Sequence, residues 1–166
     1  MRGDSKEKSD EEYLNEDVDF VCLVYGDDYN MGELRTERVT SLNTEFLLRD
    51  NDYVYLIMFD LSGTGNITSD DAYRLVKLAD ENTNFNFFYV GSEAMTSFQE
   101  ARGQMTTIVP GNLVMGYCYE RVRRVGSVGI WTQEDMNDPT MNPSIAIPKR
   151  IIPIMAMFVR ANEVKN

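Results

Sequence analysis

The chain has 166 residues, 43% of them hydrophobic and 11% aromatic, enough to enclose one core. It carries 27 acidic against 16 basic residues, and a net charge of −11 repels a phosphate backbone, which argues against nucleic acid as a partner. Histidine is absent, so Ser-His and Cys-His nucleophilic pairs and imidazole metal ligands are excluded.

The first twenty residues hold eight acids and three bases, and residues 1–16 read as an acidic, disordered tail ahead of a single domain at 17–166. Residues 20–25 (FVCLVY) form a short apolar run of strand formers closed by Gly26, Asp27 and Asp28. Met31, Leu34, Val39, Leu42 and Phe46 then fall near one face of a helix. Residues 53–59 (YVYLIMF) show no polar alternation, as expected of a strand covered on both faces. A glycine-rich turn follows, and Thr68 with Asp71 three residues on has the spacing of a capping box. Ala72, Leu75, Val76 and Ala79 mark the helix it would open.

Residues 84–90 (NFNFFYV) read as a third strand, and Ser92 and Glu93 can start a helix that Gly103 stops. Residues 105–109 are expected as a weaker strand, 113–124 as a helix, and 125–132 as a strand interrupted by Gly126 and Gly129 that could pair between subunits as an exposed edge. Residues 133–148, with Pro139, Pro143 and Pro148, read as a loop, and 151–161 as a closing helix with Pro153 in its first turn. Cys22 and Cys118 both lie in apolar surroundings and no C-x-x-C occurs, so the thiols are expected to be buried and reduced. No signal peptide or membrane span is expected.

Strand and helix alternate at least three times, which implies parallel strands joined by crossovers. The expected fold is a three-layer α/β domain with a mostly parallel sheet, flavodoxin-like or Rossmann-like. Ligands of such sheets sit beyond the carboxyl ends of the strands. That rim would carry Gly26, Asp27 and Asp28, the turn after Phe59, and Glu93.

The turn from Asp60 to Asp71 admits several chemistries. Asp60, Ser62, Thr64, Gly65 and Asp71 are spaced as in the calcium loop of EF-hands, although residues 53–59 are too rich in strand formers for the helix that should precede it. Asp60, Ser62 and Thr64 also resemble the D-x-S-x-S/T motif of von Willebrand A domains, and that resemblance implies a Mg²⁺ held by these three side chains for a partner's carboxylate. Residues 59–67, with Gly63, Gly65 and Asn66, are similar to the glycine-rich first motif of Rossmann-like methyltransferases, which implies nucleotide or S-adenosylmethionine binding with Glu93 on the ribose. Asp27, Asp28 and Asp60 could share one Mg²⁺-binding pocket if their strands are neighbours. A purely structural turn would ask for the same glycines and hydroxyls.

No complete catalytic motif is present. The leading expectation is therefore a non-enzymatic, cytoplasmic protein-interaction module with a protein partner and no assured cofactor. The alternative is a domain that binds Mg²⁺, Ca²⁺ or a nucleotide through the Asp60 turn.

Overall fold

Seven successive residues from Tyr53 place no polar side chain before Asp60, apart from tyrosine hydroxyls, and such a strand must be covered on both faces. The computed structural model describes residues 8–60, 67–91, 112–119, 127–132 and 138–164. Strand β1 (Phe20–Gly26) and strand β3 (Tyr53–Asp60) lie side by side and parallel, with Phe20 opposite Tyr53 and Gly26 opposite Phe59. Strand β4 (Phe85–Gly91) pairs parallel on the other side of β3, and the two-residue strand β2 (Glu37–Arg38) pairs parallel with the free side of β1. Strands β5 (Asn112–Tyr119) and β6 (Ser127–Thr132) complete the sheet in antiparallel sense. The order is β2-β1-β3-β4-β5-β6. Its parallel portion follows the flavodoxin-like 2-1-3-4 arrangement and not the classic Rossmann one.

Side chains of β3 alternate between two cores, as the pleat of a strand requires. Tyr53, Tyr55, Ile57 and Phe59 join Cys22, Val24, Phe88 and Val90 on one face. Val54, Leu56 and Met58 join Leu23, Phe85, Phe87 and Tyr89 on the other. Helix α4 (Pro143–Val164) covers the first face through Ile147, Ile151, Met155 and Phe158, spaced by three or four residues, together with helix α1 (Asp10–Glu16). Helix α3 (Ser69–Glu81) covers the second through Ala72, Leu75, Val76 and Ala79, with the short helix α2 (Thr44–Leu47) beside it. The protein is thus a three-layer α/β fold. Truncating a fully buried residue such as Leu56 or Ile57 to alanine should cost about 2–5 kcal/mol. Among the described residues no helix is long and apolar enough to cross a membrane.

Four segments differ from the sequence-based expectation, each for a physical reason. Residues 10–16, assigned above to the tail, form α1, capped by Ser9 and anchored by the fully buried Leu14. Residues 31–46 do not make one helix. Met31 and Leu34 pack in the α4-side core, whereas Val39, Leu42 and Leu47 pack in the α3-side core. The chain passes around the β1 edge between them, and a single helical face cannot serve both sides of a sheet. Residues 113–119, expected as the start of a helix over 113–124, belong instead to β5, where Val114, Tyr117 and Tyr119 are strand formers.

The C-terminal helix begins at Pro143 and runs through both Pro148 and Pro153. Asn142 opens it, its side chain accepting from the Ser144 amide at 3.1 Å, with Pro143 in the first helical position, where a missing N–H costs nothing. Pro148 cannot donate to the Ser144 carbonyl, but the Asn30 amide does so instead, at 3.1 Å. Pro153 lies on the exposed face. The helix predicted over 92–101 and the strand predicted over 105–109 lie outside the described residues.

Gly26 closes the seam between β1 and β3. Its φ is +96°, and a Cβ there would lie 2.2 Å from the Phe59 carbonyl oxygen. Gly32 also has positive φ, +62°, but a Cβ there would meet nothing within 4 Å. Gly26→Ala should therefore cost well over the roughly 1 kcal/mol expected of Gly32→Ala, where only the left-handed backbone is penalised. Urea denaturation of the two variants against the parent chain checks this. Equal losses would contradict the close approach.

Candidate functional site

Among the described residues, two places set chemistry-bearing groups where a ligand could reach them. The first is the rim at the carboxyl ends of β1 and β3. Strand order changes direction there, since β1 leads out to β2 on one side and β3 to β4 on the other. The two acid-bearing tips are adjacent: the Asp27 amide donates to the Phe59 carbonyl at 2.9 Å, and Asp60 follows Phe59 as the last residue of β3. Asp27 is half-buried and Asp28 exposed. Tyr29 lays its ring on Phe59, centroids 4.3 Å apart and planes 9° from parallel. Burial pushes the Tyr29 phenol up to about 12, with the negative charge of Asp27 adding to the shift. Arg38 donates to the Gly26 carbonyl, which brings a cation to the same rim.

The other predicted ligands separate from this rim or cannot be placed. Asp71 forms the capping box anticipated with Thr68. Its Oδ2 accepts from the Thr68 amide at 3.0 Å, and the Thr68 hydroxyl accepts from the Asp71 amide at 3.1 Å. Its Oδ1 pairs with Arg74 at 2.7 Å, and Arg74 also donates to the Leu42 carbonyl at 3.0 Å. Both carboxylate oxygens thus serve the start of α3. Ser62, Gly63, Thr64, Gly65, Asn66 and Glu93 lie outside the described residues. The segment before Asp60 is a strand, so the helix–loop–helix context of an EF-hand is missing there. Among the described residues no three side chains of metal-ligating type converge.

The second place is a groove of about 280 Å³ where α1, the turn after β1 and the first turns of α4 meet. Its apolar lining is Met31, Ile145, Pro148 and Ile152; Glu11 and Glu33 bring negative charge and Lys149 positive charge. Ile145 is 41% exposed although it opens onto the buried Met31 and Ile152. The wall at 30–35 is held along its length. The Asn30 amide reaches the Ser144 carbonyl, and the Asn30 side chain accepts from the Gly32 amide at 2.9 Å. Asn15 of α1 donates to the Glu33 carbonyl at 2.9 Å and accepts from the Arg35 amide at 3.0 Å. With α1 docked, these bonds set the shape of that wall.

Reasoning from the sequence did not find this groove. The Asn142-Pro143-Ser144 start signal could have placed the helix of Ile145. The partnership of that helix with residues 30–33 is tertiary and leaves no mark in local spacing. Comparison with known protein families, with curated proteins and with solved structures gives no match.

Proposed function

We propose that this chain is a cytoplasmic protein-binding module that takes an apolar side chain of its partner into the groove between α1, the 30–33 turn and α4. The observation that carries this reading is Ile145, a large aliphatic residue left 41% exposed beside a groove already floored by buried Met31 and Ile152. Apolar concavities with a few charges at the edge are the usual form of a binding site. The buried, free thiol of Cys22, pushed up to about 12 by its burial, suits a reducing compartment. Selection from a random decapeptide library should enrich apolar anchors on the parent protein. Ile145→Glu should abolish that enrichment while leaving the melting temperature within about 2 °C, as for an exposed substitution. Enrichment that persists in Ile145→Glu would remove the groove as the binding site.

One observation favours a second reading, a divalent-cation site at the rim. β1 and β3 are neighbours, so Asp27 and Asp60 stand at adjacent strand tips of the switch point. Mg²⁺ or Ca²⁺ at a hundred times its dissociation constant would stabilise the fold by about 2.7 kcal/mol. Such a gain in thermal melts, lost in both Asp27→Asn and Asp60→Asn, is the result this reading expects. Melts unchanged by either ion would dispose of it.

A further inference from the structure

We propose that α1 is a strap whose docking completes the groove, and that a partner segment carrying an apolar anchor beside lysine or arginine binds the docked form and holds it closed. The inference rests on the groove reading above.

Helix α1 has seven residues, well below the roughly 12–15 at which an isolated helix becomes even marginal in water. Its helical state is therefore maintained by what it touches. Leu14 is its one fully buried side chain. Tyr13 packs half-buried against the same core, and the remaining anchors are polar and lie at the surface. Arg160 of α4 pairs with Asp10 at 2.7 Å and stands 4.3 Å above the Tyr13 ring, and Asn15 clamps Glu33 and Arg35. Exposed pairs of this kind contribute little each, so the strap is the part of the α4-side layer that opens most readily.

Opening would change the groove twice over. Glu11 leaves with the helix, and the Asn15 clamp that fixes the wall at 33–35 is lost. Docked, the strap sets Glu11 in a lining that also holds Glu33, with Lys149 the sole positive side chain there among the described residues, in a chain of net charge −11. A cation beside the partner's apolar anchor meets that acidic lining, and its binding favours the closed strap. Linkage makes the effect mutual: the partner protects α1, and loosening α1 weakens the partner in proportion to the fraction still docked.

The test uses the full chain and the tightest decapeptide selected on it. Amide hydrogen exchange at residues 10–16 should slow at least about fivefold when the peptide is saturating, and Arg160→Gln should speed it in the free protein and weaken the peptide at least about threefold, as a fall in docked population requires. Asn15→Ala should do the same and stands in if Arg160→Gln fails to fold; exchange in β3 should be unaltered in the variant used. A peptide that binds without slowing α1, or a loosened α1 with unchanged affinity, would overturn the strap and leave the groove intact. Selected peptides lacking basic residues would overturn the partner chemistry. A library that selects nothing would overturn the groove, and the strap's role with it.

Discussion

Both halves of the interior rest on the side chains of β3. Tyr55 and Ile57 belong to one core and Leu56 and Met58 to the other, and all four are fully buried. A strand in that position has no water for its backbone, so its amides and carbonyls must find partners in the strands beside it. β1 and β4 supply them over nearly the full length of β3, in register. The helices then have little freedom: each must lay an apolar stripe on one side of the same strand.

The positions of the functional groups follow from that pairing. Because Gly26 stands opposite Phe59, the chain leaves β1 pressed against the end of β3, and Tyr29 continues the contact by stacking on Phe59. From there residues 30–35 run down to α4 and α1, with Asn30 on Ser144 and Asn15 on Glu33 and Arg35. Rim and groove are thus the two ends of one short connection. Pro148 helps make this possible, since a residue able to donate at that position would compete with Asn30 for the Ser144 carbonyl.

How much of this could be read beforehand depended on whether the determining contacts were local. The unbroken apolar run of 53–59 announces a doubly covered strand, and Thr68 with Asp71 announces a helix start, because each feature acts within a few residues. The spacing of Met31, Leu34, Val39 and Leu42 misleads because it records burial and not the face on which burial occurs. Helix α1 docks through Leu14 and meets Arg160, 150 residues along the chain from Asp10, and nothing within an acidic heptapeptide reveals those partners. Pro148 reads as a helix breaker until its substitute donor is known to be Asn30. Of the candidate site, the adjacency of Asp27 and Asp60 was implied once the strands were taken as neighbours, whereas the groove at Ile145 required three elements to be placed together.

Native-state hydrogen exchange at the backbone amides of Leu56, Ile57 and Met58 tests the central claim most directly. If this strand is the common wall of both cores, those amides exchange only by global unfolding and are among the slowest in the molecule, slower than any in α1 or α2. Exchange of these three amides through a local opening, well below the free energy of global unfolding, would contradict the account.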